Sequence, residues 1–309
     1  MDSAVSGLRA HQNKLDVIGH NIANVNTFGF KAQSYSFKEA MYQTATQSTG
    51  GVQNDDTTAA GTNGAQYGYG SMMGSISTDM ISSTPTYVGG LNACINGQGF
   101  FATQAISTKE IEVGGDAAEV TDALKEAEFA YTRVGQFQLD SQGYLSDGSN
   151  FIYGFRPDGN KGFETDNLVA LRVPSDLDNG FDDDALQAAS VKINELGEVT
   201  ATVTNPDNGE SVQVSLGKIA IVTFQNQEGL MKSGGSYYSA SIGDNTGFCS
   251  ATIPGGSTSK LMTGYLEASN VDLAKEFSEM ITTQRGFQAN TKMITVSDEI
   301  LSDLISMKR

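Results

Sequence analysis

An apolar residue recurs at every seventh position near the end of this 309-residue chain. Five such positions follow one another without a break: Leu273, Met280, Phe287, Ile294 and Leu301. A repeat of this kind is typical of one stripe along an α-helix. The segment contains no proline and only Gly286 weakens it, so the pattern predicts a helix of about 37 residues and about 55 Å. A helix this long cannot wrap back onto a small core.

The start of this helix is predicted at Ser269, whose hydroxyl would cap a free backbone N–H, with Asp272 facing the positive end of the helix dipole. Phe277 and Ile305 flank the apolar stripe, and we assign them to the same surface. The second position of the seven-residue repeat is weaker, because it carries polar residues in the middle of the helix.

A second amphipathic helix is predicted over residues 1–25. Its apolar and small residues fall on two positions of a seven-residue repeat: Met1, Ala4, Leu8, Leu15, Ile18, Ile22 and Val25. Turn formers follow, and Gly29 can adopt the left-handed conformation that ends helices. The two helices could pair within one molecule. We favour association between copies of the chain, because their lengths differ and a head-to-tail contact that does not close generates a filament or tube.

The middle of the chain has the alternation and turn chemistry of β-structure. Turn sequences such as DSQG and PDGN separate nine predicted strands. These strands cover residues 99–104, 129–133, 136–139, 151–155, 168–173, 191–194, 199–203, 211–214 and 218–224. The fold class is therefore α+β, with a mainly-β central body flanked by N- and C-terminal α-helices.

Composition divides the chain further. Residues 43–74 are rich in Gln, Thr, Ser, Gly and Asn and cannot build a core of their own. The predicted organisation has a terminal helical domain (1–28 and 271–309), an extended linker (29–74), a β-rich body (75–155 and 190–270) and a short acidic insertion (156–189).

Charge and hydropathy exclude several classes of partner. Lys and Arg number 19 against 36 Asp and Glu, a net charge of −17, which repels nucleic acid and anionic lipid. No apolar run approaches the roughly 20 residues of a membrane span, so we expect no membrane insertion. The start of the chain has no conventional secretory signal, so we expect no cleaved signal peptide. The two cysteines, Cys94 and Cys249, are either buried free thiols or one long-range disulfide, and the first is favoured.

Candidate chemical sites are weak. A calcium loop starting at Asp176 would place Phe181 where the sharp turn needs glycine and Gln187 where a bidentate Glu is needed. His11 and His20 lie nine residues apart, which does not put two metal ligands on one helix face. No G-x-S-x-G motif is present. We therefore expect no catalytic residue, metal or cofactor, and no enzymatic activity.

Several segments resemble one family of bacterial proteins. SGLRAHQNKLDVIGHNIANVNTFGFK (residues 6–31) is similar to the N-terminal signature of flagellar rod and hook proteins, and the sequence from residue 266 to 309 resembles their C-terminal signature. INGQGFF, AYTRVGQFQLDSQGYL and FQNQEGLMKSGGSYY resemble motifs of the β-body of the same family. The resemblance covers both ends and much of the middle.

The resemblance implies a structural subunit rather than an enzyme. The segments SNVDLAKEF, QRGFQAN, IVTFQNQEGL and ISMKR look most like the hook, a curved tube that transmits motor torque and conducts exported subunits. The alternative is a distal rod subunit of the basal body, which the long linker favours. Hook proteins commonly insert a second β-domain where this chain has only its short acidic insertion.

The resemblance also implies partners and a location. The terminal helices would form a coiled-coil inner lining and the β-body the outer wall of a helical homopolymer in the extracellular flagellum. The chain would pass through the flagellar export apparatus. Further partners would be distal rod subunits, the hook cap and the hook–filament junction proteins. The expected polymer interface consists of Leu8, Leu15, Ile18, Ile22, Val25, Leu273, Phe277, Met280, Phe287, Ile294, Leu301 and Ile305.

Two interpretations outside this family were considered. A secreted β-rich adhesin or carbohydrate-binding module would explain the acidic middle but leaves the terminal stripes unexplained. A glycosidase needs two carboxylates facing across a cleft, and the chain has no Trp to form a sugar platform.

Overall fold

The computed structural model describes residues 2–53, 58–106, 110–158, 162–172, 188–204, 211–255 and 259–307. Within them the chain is mainly β and has three α-helices, namely α1 (Asp2–Ala23), α2 (Ala117–Glu126) and α3 (Leu273–Met307). It divides into a helical unit (Met1–Val25, Ala32–Asp79 and Val271–Arg309) and a body unit (Asn26–Lys31 and Met80–Asn270). The predicted mainly-β chain with a helix at each end is confirmed.

In the helical unit, α1 and α3 pack side by side and run antiparallel. Near one end of the pair, a Cβ at Gly7 would come 2.9 Å from Nδ2 of Asn290. Near the other end, Asn21 hydrogen-bonds to Glu276. Residue numbers thus rise along α1 as they fall along α3.

The ends of these helices differ slightly from the prediction. Helix α1 ends at Ala23, and Gly29 has the expected positive φ of 68° six residues later. The predicted N-cap of α3 at Ser269 is wrong. Oδ1 of Asp272 accepts hydrogen bonds from the backbone N–H groups of Ala274 (2.9 Å) and Lys275 (3.3 Å), so Asp272 is the cap and the helix starts at Leu273.

An antiparallel ribbon fills most of the rest of the helical unit. Its nested pairs are β1 (Gln33–Glu39) with β6 (Ser71–Thr78), β2 (Tyr42–Thr46) with β5 (Ala65–Gly68), and β3 (Val52–Gln53) with β4 (Thr58–Ala59). Helix α1 packs on β1 and β6. Every side chain of β2 and β5 is exposed, in keeping with a polar sequence that builds no core.

The body unit is built from antiparallel strands. They are β7 (Pro85–Tyr87), β8 (Ala93–Asn96), β9 (Phe100–Gln104), β10 (Ile111–Glu112), β11 (Ala130–Thr132), β12 (Gln138–Leu139), β13 (Leu145–Ser146), β14 (Phe151–Asp158), β15 (Gly162–Ala170), β16 (Ala188–Ile193), β17 (Glu198–Thr204), β18 (Ser211–Ile219), β19 (Ile221–Phe224), β20 (Met231–Gly234), β21 (Tyr237–Ser239), β22 (Cys249–Thr252), β23 (Lys260–Thr263) and β24 (Tyr265–Glu267). The long path of the main sheet is β16-β17-β18-β14-β9-β11-β21-β20. Each of the nine predicted strands overlaps an observed one.

The core of the body lies on both faces of β9. Phe100 belongs to one apolar cluster and its neighbour Phe101 to another, because successive side chains of a strand point to opposite faces. Helix α2, which the sequence analysis missed, covers the first cluster with Val120 and Leu124. Cys94 and Cys249 are both buried and free, as the favoured option predicted.

Two expectations fall partly or wholly outside the described residues. The acidic insertion, 156–189, includes residues 159–161 and 173–187, which the structure does not describe. The calcium loop that would start at Asp176 lies within the second of these gaps.

Among the described helices, none is long and apolar enough to cross a membrane.

Candidate functional site

The structure divides the twelve residues predicted to form a polymer interface into two groups. Eight of them are buried or half-buried: Leu8, Leu15, Ile18, Ile22, Val25, Met280, Phe287 and Ile294. The remaining four, on α3, are exposed: Leu273, Phe277, Leu301 and Ile305. The α3 residues with a defined contact to α1 are Glu276, Glu279, Gly286 and Asn290, which lie beside the predicted seam.

Polar and small residues of α3 fill much of the contact with α1. Glu276 and Thr283 are its two fully buried residues. Gly286 lies against the ring of His11, and a Cβ there would come 2.8 Å from Cε1 of the imidazole. At the edge, Nζ of Lys14 is 3.1 Å from Oε2 of Glu279. The two helices thus approach closely where side chains are small.

Asn21, at the C-terminal end of α1, joins three elements. Its Nδ2 donates to the backbone oxygen of Gln33 (2.8 Å), and the N–H of Gln33 donates back to its Oδ1 (2.9 Å). The same Nδ2 group reaches Oε1 of Glu276 at 3.2 Å. Burial raises the pKa of Glu276, and the hydrogen bond from Asn21 opposes that rise. Asn21 therefore fixes where β1 and α3 meet α1.

Sequence reasoning did not give Asn21 a role. A signal was present, because this polar residue lies three positions after Ile18 on the buried side of α1. A polar residue on an apolar stripe must find partners when it is buried.

The surroundings of His11 disfavour the protonated form of its ring. Its Nδ1 is buried without a hydrogen-bond partner among the described residues, and its ring stacks edge-on with Phe37 of β1 at 5.2 Å between centroids. Burial lowers the pKa of His11, and the positive charge of Lys14 lowers it further. The sequence expectation that His11 packs rather than binds metal agrees with this geometry.

The body unit contains a buried cluster of three charged side chains. Lys31, Arg133 and Glu267 are each no more than 1% exposed. Nζ of Lys31 lies 2.8 Å from Oε1 of Glu267, and Nη1 of Arg133 lies 3.4 Å from Oε2. The backbone N–H of Ser83 also donates to Oε1 of Glu267, and the Lys31 ammonium donates to the backbone oxygen of Ile81.

This cluster holds two cations for one anion. The guanidinium of Arg133 stands over the ring of Phe100, 5.3 Å from its centroid, and its Nε and Nη2 have no hydrogen-bond partner within the described chain. The aromatic face offsets part of the excess positive charge. Lys31 is the last residue of the G-F-K motif, so the motif has a structural role in the body.

Two contacts fix the position of Gly29 in the same motif. Its N–H donates to the backbone oxygen of Glu267 at 2.8 Å, and a Cβ there would come 2.7 Å from Cγ2 of Val134. With its φ of 68°, this position strongly favours glycine. The motif therefore lays residues 29–31 against the strand that ends at Glu267.

No group of three or more His, Cys, Asp or Glu residues able to hold a metal occurs in the described part of the chain. The helical unit does offer a surface on which another element could pack. A groove of about 430 Å³ runs between α1 and β6, lined by Asp2, Val5, Ser6, Arg9, Ala10, Asn13, Ser71, Met72 and Met73.

Comparisons with known proteins give this architecture a family. Residues 1–31 match the family described as flagella basal body rod protein, and residues 262–307 match the C-terminal domain of flagellar basal body rod FlgEFG proteins. A relative from Bacillus subtilis (strain 168) is 38% identical over 99% of this chain and 98% of its own length. The chain therefore belongs to the flagellar rod and hook family, whose members are structural proteins that polymerise into the axial structure of the flagellum.

The names of the relatives point within the family. The Bacillus subtilis protein is the flagellar basal-body rod protein FlgG, as is a relative from Buchnera aphidicola subsp. Schizaphis graminum that is 32% identical over 97% of this chain and 95% of its own length. The flagellar hook protein FlgE of Borreliella burgdorferi is 26% identical over 99% of this chain and 98% of its length. These findings support the distal rod alternative better than the hook interpretation.

Proposed function

We propose that this chain is a subunit of the distal rod of the bacterial flagellum. The observation that carries the proposal is the end-to-end match to rod protein FlgG, which runs over 311 positions at 38% identity. The match to the hook protein FlgE runs over 461 positions, so that protein carries segments with no counterpart here. The short acidic insertion predicted in place of a second β-domain fits the rod better than the hook.

The exposed ribbon supports a stiff rather than a sliding tube. Several apolar side chains on its strands are about half exposed, including those of Tyr42, Tyr67, Met72 and Met73. Exposed apolar groups gathered on one element mark a protein interaction surface. In a tube of identical subunits, contacts through such an arm would restrict the sliding that bending requires.

In this proposal the terminal helices form the inner, coiled-coil part of the tube and the β-body its outer wall. The subunit passes through the flagellar export apparatus and adds to copies of itself. The twelve predicted interface residues then act in two ways, some pairing α1 with α3 and some contacting neighbouring subunits.

Deleting the gene in the source bacterium tests this proposal by electron microscopy of purified basal bodies. We expect a truncated rod with neither hook nor filament, and recovery when the gene is restored. A complete rod that lacks only the hook would instead support the hook interpretation. Hooks of normal appearance would contradict both.

A further inference from the structure

Helix α3 carries a second apolar stripe near its C-terminal end, beside the seven-residue repeat that starts at Leu273. It consists of Met293, Val296, Ile300, Leu304 and Met307, which are spaced by three, four, four and three residues. This spacing places all five side chains on one face of the helix. Each is between 37% and 81% exposed. We call this set the outer stripe.

The outer stripe continues the face of α3 that contacts α1. Met293, Ile300 and Met307 follow Gly286 at steps of seven residues, and Leu304 follows Asn290 by fourteen. At 3.6 residues per turn the outer stripe lies about a third of a turn around the helix from the stripe of Met280, Phe287 and Ile294. Met293 and Val296 flank Ile294 in sequence, yet they are exposed while Ile294 is half-buried. Gly7, five residues after the start of α1, already faces Asn290, so most of the outer stripe extends past the end of α1.

The groove between α1 and β6 has matching properties. Val5, Met72 and Met73 line it and are 40–50% exposed, and the buried Ala10 also lines it. Methionine side chains adapt their shape to a partner. The groove residues of α1 lie on a different side of that helix from Gly7 and His11, which face α3. A straight α3 packed on the α3-facing side of α1 cannot also enter the groove of its own chain.

Charge also favours contact between the outer stripe and the groove. From Met293 to Met307, α3 carries Asp298, Glu299 and Asp303 and no Lys or Arg. Arg9 is the only Lys or Arg among the residues that line the groove, and its side chain is exposed. Asp2, which also lines the groove, lies more than one helical turn before Arg9 on α1. Asp303 stands at the edge of the outer stripe, next to Leu304.

We propose that the outer stripe of one copy docks in the α1–β6 groove of a second copy, with Asp303 beside Arg9. This inference rests on the proposed function and names the surfaces through which subunits meet. The two surfaces are different, so the contact is head-to-tail and repeats from copy to copy without closing unless the rotation between copies makes a ring. The seam between subunits is then the outer stripe at the C-terminal end of α3, while the part of α3 that faces α1 serves the helix pair inside each subunit.

Charge reversal tests the contact in full-length protein. We expect Arg9→Glu and Asp303→Arg each to raise the protein concentration needed for polymerisation at least about tenfold, because each places like charges together. The double variant should recover most of this loss. Arg285→Glu is the matched control, since it reverses an exposed charge of α3 about two turns before the outer stripe.

Disulfide cross-linking gives a second measurement that does not depend on charge. Oxidised polymers of the Met73→Cys, Leu304→Cys variant should yield covalent chains of several subunits. The native Cys94 and Cys249 are buried, so they should not form these cross-links. The Met73→Cys, Gln288→Cys variant, with an exposed position outside the stripe, should not.

The outcomes separate the two proposals. If the wild-type chain forms tubes but charge reversal has no effect and no cross-linked chains appear, the docking inference is wrong and the rod proposal stands. Cross-links in the Leu304→Cys single variant that stop at dimers would also overturn it, because they would show stripe meeting stripe. A wild-type chain that forms no tube under any condition, and whose gene deletion leaves rods intact, would contradict the proposed function itself.

Discussion

The imidazole of His11 on α1 lies against Gly286 of α3, so closely that a methyl group at residue 286 would come 2.8 Å from the ring. We expect Gly286→Ala to lower the free energy of unfolding of the helical unit by about 1–3 kcal/mol, the usual cost of overpacking. Thermal or urea unfolding followed by circular dichroism measures this.

Gly19 provides the control for this change. It also lies in a helix, but a Cβ there meets no atom within 4 Å. Gly19→Ala should therefore stabilise α1 by up to about 1 kcal/mol, the difference in helix propensity. Equal effects of the two substitutions would contradict the close contact between His11 and Gly286.

The same histidine predicts a pH dependence. The pKa of His11 is lowered in the folded chain from its ordinary value of 6.5, so the unfolded chain binds the proton more tightly. Its contribution to stability is present above pH 6.5 and is lost as the pH falls through that value toward the folded pKa. The unfolding free energy of the wild-type chain should therefore decrease from pH 7.5 to pH 5 more steeply than that of His11→Gln.

Glu276 contributes to the pH dependence of stability with the opposite sign, because burial raises its pKa. The comparison of the wild-type chain with His11→Gln cancels this contribution. His20→Gln, a change at the exposed histidine of α1, controls for the loss of an imidazole as such. A slope that depends on His20 rather than His11 would show that the buried imidazole is not responsible.

The buried charge cluster predicts a large effect in the body unit. Glu267→Gln removes the carboxylate that faces both the buried ammonium of Lys31 and the buried guanidinium of Arg133, so we expect a loss of about 3–5 kcal/mol in unfolding free energy. Glu110→Gln is the control, because the ion pair between Glu110 and Arg156 is exposed and should contribute less than about 1 kcal/mol. Chemical denaturation followed by tyrosine fluorescence distinguishes them, and similar losses would argue against an essential buried carboxylate.

The two stripes of α3 predict different consequences of the same substitution. Phe287→Asp places a charge at a half-buried position beside the contact with α1, so it should weaken helix pairing in the monomer and abolish polymerisation as a result. Leu304→Asp, on the outer stripe, should leave the circular dichroism and protease resistance of the monomer unchanged and still block polymerisation. Normal tubes from Leu304→Asp, or an unaltered monomer from Phe287→Asp, would reverse the assignment of the stripes.

Much of the fold follows from local patterns, but the partner of each surface does not. The apolar repeat from Leu273 to Leu301 predicted α3, yet periodicity does not say whether α1 or a neighbouring copy covers it. The outer stripe was missed because periodicity alone does not say which apolar residues of α3 extend past the end of α1. Likewise, Lys31 and Glu267 are ordinary surface residue types, and only the pairing of distant segments buries them together.

The missed elements have physical reasons as well. Helix α2 lies in an acidic stretch that resembled a solvated surface, although Val120 and Leu124 are spaced to cover the core. The ribbon strands β1, β2, β5 and β6 lack a buried face over most of their length, so they show little of the alternation that reveals strands. Backbone hydrogen bonds, which leave little trace in the sequence, determine their pairing.

The ion pair between Lys31 and Glu267 joins positions 236 residues apart, and this sets the order of events during synthesis. A ribosome that has made the first two hundred residues has produced Lys31 and Arg133 but not the carboxylate of Glu267 that pairs with both. The body unit cannot close until nearly the whole polypeptide is available, and closing so long a loop is slow. Prematurely terminated chains that lack Glu267 would therefore stay open to proteases, so that only nearly complete subunits accumulate.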